Sequence, residues 1–361
     1  MSERCPNVKA RVHVKQRSTR GPQTRVQKLN AKLNNWFENV ESFRDFMANL
    51  EKELPKPVVK ERHVRVAIID DGVDIFSLSD NVRECLVGLQ SFALSEKPNG
   101  GMFKAAINSE HGHGTIMACL VNMVCPQAKL YSARLGSPAK DGEFQITVES
   151  AVQAIRWAIA MEVHIISMSW TIPHQERPDP EGKPNIFTEL EAAIKDAHRK
   201  GILMFCSSRD QEYESMHELE QLYPQKCKDA VICIDAAQDS GQRDQWACSD
   251  GQFFFPGNAS RSRTIQDMQR KSKDTTNLEG SSVATAVAAG FAALILHCAE
   301  ILLVKQPKVP DDKKLQNVEE HPEADAIRQA LRKSENTARI FELGNRSGDN
   351  LSFVSFSKIF P

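Results

Sequence analysis

The chain has 361 residues, enough for one large domain with appendages, and its 46 Lys and Arg side chains nearly balance 47 Asp and Glu side chains. The formal net charge of -1 gives no overall reason to expect nucleic acid or an anionic membrane as a partner. The nine cysteines show no Cys-x-x-Cys spacing and fit neither a zinc site nor a secreted disulfide framework, so we expect reduced thiols.

Residues 1–25 form a locally basic segment, with seven Lys and Arg side chains against one acidic residue, Glu3, and few large apolar residues. This composition predicts a solvated, disordered arm. No apolar run near Met1 could serve as the core of a signal peptide, and no stretch of membrane-spanning length has free flanks. We therefore expect an intracellular, cytoplasmic chain with no membrane partner.

Apolar residues recur every three or four positions from Val26 to Leu54, which predicts an amphipathic helix that ends at Pro55 and Pro57. We interpret residues 26–60 as a helical N-terminal extension. Packing on the following domain is the simplest expectation for it. The extension could instead cover an active cleft or link the chain to a larger protein assembly, and the sequence does not decide between these alternatives.

Strand and helix patterns alternate through the middle of the chain. Compact apolar runs predict buried parallel strands, and apolar residues at helical spacing lie between them. The predicted strands are Val64–Ile69, Leu130–Leu135, Val163–Ser169, Ile202–Ser207 and Ala230–Ile234, with helices over 148–159 and 187–197. Right-handed crossovers then give an α/β fold of three layers, a mostly parallel central sheet with helices on both faces.

The stretch 277–300 predicts a buried helix with a serine at its N-terminus. Its alanines, leucines and isoleucine leave no polar face for about four turns, so protein must surround it. Gly280-Ser281-Ser282 places two hydroxyls at the helix N-terminus, where unpaired N–H groups and the helix dipole can stabilise an anion. One serine could simply cap the helix, so a catalytic role requires partner residues elsewhere in the chain.

Three short motifs occur in order along the chain: Asp70-Asp71-Gly72 after the first strand, His113-Gly114-Thr115 before an apolar helix, and Gly280-Ser281-Ser282. Each motif is weak alone, since a histidine at a helix N-terminus is by default structural. Together, and in this order, they resemble the Asp, His and Ser motifs of subtilisin-like serine peptidases. The resemblance covers roughly residues 62–300. We place the peptidase domain at 61–304, followed by a linker and short C-terminal helices over 305–361.

The resemblance implies a subtilisin-like fold and a catalytic triad, with Ser282 as nucleophile, His113 as general base and then acid, and Asp70 orienting the imidazole. Asp71 falls where the family tolerates a small polar residue, and we give it no role. Calcium is common in similar enzymes, but no dense run of alternating acidic residues marks a site. We therefore expect no metal and no cofactor.

The residue expected to stabilise the oxyanion departs from the family pattern. After the Ile202–Ser207 strand the family usually supplies an asparagine amide to the oxyanion, and this chain has Asp210 there. An ionised aspartate would repel the developing charge, whereas a protonated carboxyl could donate a hydrogen bond to it. The resemblance therefore implies Asp210 as the oxyanion residue, with reduced activity if its carboxyl is ionised.

The resemblance also implies the walls of the pocket that receives the substrate side chain before the cut. These walls are Ser169, Trp170, Ser208 and Arg209. Thr171 and Arg209 stand where the family has glycines, so their side chains narrow the pocket. An inward guanidinium from Arg209 would disfavour basic substrate residues and favour acidic or small ones.

We therefore predict a serine endopeptidase that acts on protein or peptide substrates, with no nucleic-acid partner. The alternative is a catalytically weak or silent subtilisin-like fold that acts as a protein-binding or regulatory module, an interpretation motivated by Asp210, Thr171 and Arg209. A nucleotide-binding α/β protein is a third interpretation, but no glycine-rich phosphate loop follows the first strand.

Overall fold

The computed structural model describes residues 36–52, 63–93, 104–138, 144–174, 185–208, 222–238, 241–244, 247, 251–261, 279–305, 322–343 and 354. The strands are β1 (Arg65–Asp70), β2 (Leu86–Ser91), β3 (Lys129–Arg134), β4 (Ser137–Pro138), β5 (Phe144–Gln145), β6 (Ile165–Met168), β7 (Ile172–Pro173), β8 (Leu203–Ser207), β9 (Leu222–Tyr223), β10 (Ile232–Ala237) and β11 (Phe253–Pro256). The helices are α1 (Trp36–Lys52), α2 (Asp80–Cys85), α3 (His113–Val124), α4 (Val148–Ala160), α5 (Ile186–Arg199), α6 (Ser281–Lys305), α7 (Pro322–Leu331) and α8 (Ser334–Leu343).

Seven strands form one parallel sheet in the spatial order β11-β10-β8-β6-β1-β3-β2. The chain runs from β1 to β2 and β3 on one side and then crosses to β6 on the other side. The carboxyl end of β1 is therefore a topological switch point, the place where open α/β sheets bind their ligands. Asp70 is the last residue of β1, so the fold itself places this carboxylate at the ligand side of the sheet.

Both faces of the sheet are covered, which explains why the strands read as continuous apolar runs. In β1, Val66 and Ile68 belong to one buried core, and Ala67 and Ile69 belong to the other. Helices α3 and α6 pack on the first face, and α4 and α5 pack on the second. The predicted three-layer α/β fold is confirmed.

Helix α6 is apolar all round because it runs through the interior. Among the described residues it is the one helix that is long and apolar enough to cross a membrane, yet 78% of its apolar window is buried inside the protein. It packs against α3, β6, β8 and β10. Burial in the core therefore accounts for its composition.

The N-terminal extension packs on the core through its described part, α1. The indole of Trp36 is 2% exposed, and its ring contacts Phe255 and Phe291 edge to face. The indole N–H donates to the carbonyl of Val354 at 3.1 Å, and the Val354 N–H donates to Phe254 at 3.0 Å. Residues 1–35 and 53–62 lie outside the described part of the chain, so the predicted basic arm and the ends of the predicted helix are not described.

The C-terminal helices pack on the same face of the sheet as α6. The ring of Phe341 in α8 is wholly buried and stacks against Phe205 and Phe291. Residues beyond 304 thus contribute to the core that also contains the sheet. The seven cysteines within the described residues are free thiols, as the sequence predicted, and four of them are buried: Cys119, Cys125, Cys206 and Cys233.

Candidate active site

Asp70 and His113 form a buried pair at the carboxyl end of β1. The Nδ1 atom of His113 lies 2.8 Å from Oδ1 of Asp70, and the same oxygen accepts the N–H of Asp71 at 2.8 Å. The two residues are 3% and 6% exposed. A carboxylate on one ring nitrogen fixes the tautomer and the orientation of the ring, which leaves Nε2 to act as base.

Helix α3 begins at His113, and the turn before it brings the N-terminus of the helix against the end of β1. Gly112 adopts a left-handed conformation with φ 74°. Gly114 lies so close to the strand end that a Cβ there would be 2.3 Å from the carbonyl oxygen of Gly72 and 3.0 Å from Cβ of Asp70. A glycine after His113 is therefore a steric requirement for the Asp70–His113 contact.

Asp71 is as deeply buried as the Asp70–His113 pair, with 1% exposure. Its Oδ1 accepts the N–H of Gly114 at 2.7 Å. Its Oδ2 accepts the Ser109 hydroxyl at 2.7 Å and the His111 N–H at 2.8 Å. From the sequence we gave Asp71 no role. The two consecutive acidic residues Asp70 and Asp71 were the sequence feature that could have indicated one.

Ser282 lies in the first turn of α6 and is held against the end of β6. Its hydroxyl donates to the carbonyl of Ser169 at 3.2 Å, and the Ser169 hydroxyl donates to the carbonyl of Ser282 at 3.0 Å. Strands β1 and β6 pair with Ile68 opposite Ser167. Two residues further along both parallel strands, Ser169 stands level with Asp70, so these bonds bring Ser282 to the same edge of the sheet as the Asp70–His113 pair.

The neighbouring serine has a structural position. The Ser281 hydroxyl is buried and donates to the carbonyl of Ser208, which follows β8, at 3.0 Å. The Ser281 carbonyl accepts the hydroxyl of Thr285 at 2.7 Å. Of the two hydroxyls at the start of α6, Ser282 is thus the more accessible one, and Ser281 ties the helix to the sheet.

The expected pocket walls divide into three groups. Ser169 and Ser208 lie at the ends of adjacent strands, next to Ser282 and Ser281 respectively. Trp170 does not project into a cleft. Its side chain is 5% exposed and belongs to the core on the α4 and α5 face, and its indole N–H donates to the carbonyl of Ile69 at 2.7 Å. Arg209 and Asp210 lie outside the described residues.

Because the Trp170 side chain packs in the core, the expected part of this residue in a pocket wall stays a prediction. An indole is large and apolar, and its N–H requires a partner when it is buried, so the core beneath β1 suits it better than a solvated cleft. The bond to Ile69 fixes the strand one residue before Asp70. Trp170 therefore stabilises the end of β1 from the core on the α4 and α5 face of the sheet.

The electrostatics of the pair favour a protonated imidazole. Burial alone would lower the pKa of His113, but the charge and hydrogen bond of Asp70, with the charge of Asp71, raise that pKa to about 9. Burial and the charge of Asp70 also raise the pKa of Asp71, while His113 and the Gly114 and Ser109 donors act in the opposite direction. Within the described residues, no group of three or more His, Cys, Asp or Glu side chains is arranged to hold a metal ion.

Known proteins with similar sequences include two curated serine or subtilisin-like proteases. A curated relative, the subtilisin-like protease het-Q2 of Podospora anserina, is 30% identical over 189 residues, 51% of this chain and 48% of that protein. The major intracellular serine protease of Bacillus subtilis is 27% identical over 176 residues, 46% of this chain and 49% of that protein. The chain thus spans about half the length of these curated relatives.

Solved structures show the same fold. The crystal structure of a lanthipeptide protease superposes with a TM-score of 0.59 at 16% identity and covers 92% of this chain and 95% of its own. A sequence model of the subtilase family of peptidases matches residues 61–341, which include Asp70, His113 and Ser282. That match extends over most of the chain, and the chain belongs to the subtilase family.

Proposed function

We propose that this chain is a serine endopeptidase that hydrolyses peptide bonds through an acyl-enzyme on Ser282. The observation that carries the proposal is the buried Asp70–His113 pair at the switch point of the sheet, with Ser282 bonded to Ser169 at the same edge of the sheet. Membership of the subtilase family supports the reaction class, because each of the three residues falls within the matched range.

The proposed chemistry divides the work between the three side chains. The Ser282 oxygen attacks the carbonyl carbon of the peptide bond while its proton passes to Nε2 of His113. The imidazolium, stabilised by Asp70, then gives that proton to the leaving amine as the carbon–nitrogen bond breaks. Water next attacks the ester, with His113 again taking and returning a proton, and releases the acid product and free Ser282.

The first step requires the Ser282 hydroxyl to change its acceptor. In the structure its proton is directed at the carbonyl of Ser169. Rotation about the Cα–Cβ bond of the serine would direct it at His113 instead, and a bound substrate can favour that rotamer. The donors for the oxyanion in this proposal are the N–H of Ser282, at the positive end of the α6 dipole, and the side chain of Asp210.

Asp210 can donate only if its carboxyl is protonated. The growing negative charge on the oxyanion and the exclusion of water by substrate both raise a carboxyl pKa, so this state is accessible during the reaction. We expect Asp210→Asn, whose amide donates at any pH, to keep or raise turnover. Complete loss of turnover in this variant would show that Asp210 has a different role.

The proposed substrate is a protein or peptide, and Arg209 is the residue from which we infer a preference. A guanidinium on the pocket wall would disfavour Lys or Arg before the cut. Profiling a peptide library with the wild-type chain and with Arg209→Gly tests this inference. Dominant cleavage after basic residues in the wild-type chain would refute it, and so would the same profile in both proteins.

Hydrolysis of a denatured protein substrate, followed by mass spectrometry of the products, tests the proposed function itself. We expect internal cleavage by the wild-type chain and none by Ser282→Ala or His113→Ala. Asp70→Asn should reduce kcat by roughly 10,000-fold, because it favours the wrong tautomer of the histidine. Cleavage by Ser282→Ala at the wild-type rate would refute the proposal.

A further inference from the structure

The carboxylate of Asp71 ties the strand that ends at Asp70 to the start of the helix that begins at His113. Its three hydrogen bonds reach the Gly114 N–H inside the first turn of α3 and the Ser109 hydroxyl and His111 N–H in the loop before it. All three distances are 2.7 or 2.8 Å. Three short bonds from one side chain define the position of the helix start with respect to β1.

The loop before α3 has a second anchor, which acts further from the histidine. Arg134, at the end of β3, donates to the carbonyl of Ala105 at 2.8 Å and to Glu110 at 2.7 Å. Lys104 also pairs with Glu110, at 3.0 Å. Arg134 therefore fixes the outer part of the loop, and Asp71 alone of these groups bonds to a residue next to His113.

A single hydroxyl at this position could not replace these contacts. One hydroxyl oxygen has two lone pairs, whereas the two oxygens of a carboxylate can accept three donors that approach from two directions. Burying a carboxylate is unfavourable unless such donors compensate it. At 1% exposure, the Asp71 side chain also has no surface with which to contact a substrate.

The charges around His113 come mainly from the strand that carries Asp70. Asp70, at the end of β1, and Asp71, directly after it, are the negative groups that act on the imidazole. In the loop, Glu110 is paired with Arg134 and Lys104. The first turn of α6 and the end of β6 contribute only the uncharged Ser281, Ser282 and Ser169, so within the described residues Asp71 is the second negative group acting on the histidine.

We propose that Asp71 is a positioning residue for His113: it fixes the N-terminus of α3 against β1 and places a second negative charge beside the imidazole. This inference rests on the proposed triad. Asp71 acts through His113 and does not touch the substrate. Its removal therefore changes the proton affinity of the histidine and the rate of the chemical step, and leaves substrate binding largely intact.

The direct test is a pH titration of His113, monitored by NMR with labelled histidine, in the full-length wild-type chain and in its Asp71→Asn and Asp71→Ser variants. Both variants remove the charge, and the serine variant keeps a small acceptor near Gly114. We expect the pKa of His113 to fall by roughly 1 unit in both variants, because a charge close to the imidazole is lost.

Asp235→Asn is the matched control. Asp235 is wholly buried in β10, and its Oδ1 accepts the following N–H as that of Asp70 does. The control should leave the His113 titration unchanged.

Steady-state kinetics give the second readout. At a pH above the pKa of His113 in all three proteins, where the imidazole is unprotonated, we expect kcat to fall roughly 10- to 100-fold in the Asp71 variants, because the histidine is displaced and is a weaker base, with KM within about twofold of the wild-type value. An unchanged His113 titration in either folded Asp71 variant would overturn the inference, and so would a rise in KM with kcat unchanged. The NMR titration needs no turnover, so an inactive wild-type chain would refute the proposed function and still leave the role of Asp71 measurable.

Discussion

Ser169 and Ser282 exchange two hydrogen bonds, each hydroxyl donating to the carbonyl oxygen of the other residue, at 3.0 and 3.2 Å. This reciprocal pair joins the end of β6 to the first turn of α6, across 113 residues of sequence. The bond from the Ser169 hydroxyl to the Ser282 carbonyl sets the position of the Ser282 backbone independently of the bond that the Ser282 hydroxyl makes. The start of α6 is thus fixed, while the Ser282 hydroxyl oxygen remains able to rotate.

Removing the Ser169 hydroxyl should loosen this junction. We expect Ser169→Ala to lower the free energy of unfolding by about 1 kcal/mol, the usual value of one partly buried hydrogen bond. Denaturation should be measured in the Ser282→Ala background, where self-cleavage is absent. Ser42→Ala is the control, since its hydroxyl also donates to a backbone carbonyl but lies on the exposed face of α1. Equal effects of the two changes would contradict the assigned role of Ser169.

We expect kcat/KM to rise with pH, and the midpoint of this rise to lie above pH 6.5, the ordinary pKa of histidine. The folded chain raises the pKa of His113 to about 9. Below that pKa the imidazole holds a proton and cannot accept one from Ser282, so activity rises as pH increases through it. A midpoint at or below pH 6.5, measured with an uncharged peptide substrate, would show that Asp70 and Asp71 do not stabilise the imidazolium.

Gly114→Ala should disrupt the site through steric overlap. The added methyl group would lie 2.3 Å from the carbonyl oxygen of Gly72, so β1 and α3 must separate. We expect a loss of about 1–3 kcal/mol in the free energy of unfolding, together with loss of the Asp70–His113 bond. The downfield proton resonance of that bond reports the second effect.

Gly201→Ala is the comparison for Gly114→Ala. Gly201 has a positive φ of 72°, but among the described residues a Cβ there would meet only Arg332, at 3.9 Å. We therefore expect Gly201→Ala to lower the free energy of unfolding by about 1 kcal/mol through backbone strain, with no effect on the downfield proton resonance of the Asp70–His113 bond. Retention of that resonance in Gly114→Ala would contradict the close approach described for α3.

Trp36→Ala should destabilise the whole domain, because α1 is part of its core. The buried indole contacts Phe255 and Phe291 and donates to Val354. We expect a loss of about 3–5 kcal/mol, whereas Phe46→Ala on the exposed face of the same helix should change stability by less than about 0.5 kcal/mol. Deleting residues 1–54 should accordingly give an insoluble product. A soluble product with raised reactivity toward an active-site probe would instead favour a cover over the cleft.

The sequence predicts those parts of the fold that local patterns encode. The apolar run of β1 and the apolar helix α6 each have one clear local signature, and both lie close to where they are predicted. Strand β2 went unpredicted because it is a half-exposed edge strand without alternation, and Val87 within it is 50% exposed. Strand β11 also went unpredicted, because it has only four residues and ends in a proline.

Contacts between distant segments could not be predicted from local patterns. The bond from Trp36 to Val354 spans 318 positions, and the bond from Trp170 to Ile69 spans 101. The three bonds of Asp71 depend on the path of a loop about 40 residues downstream, a path that composition does not specify. Motifs therefore located Asp70, His113 and Ser282, and only the folded chain shows what fixes them.

The most direct test of the central claim is covalent labelling with a fluorophosphonate probe, with the modified peptide identified by mass spectrometry. We expect one label per chain, on Ser282, with no labelling of Ser282→Ala and continued labelling of Ser281→Ala. Labelling should also rise with pH through the pKa of His113. Equal labelling of the wild-type chain and Ser282→Ala, or a label on another residue, would contradict the claim that Ser282 is the nucleophile.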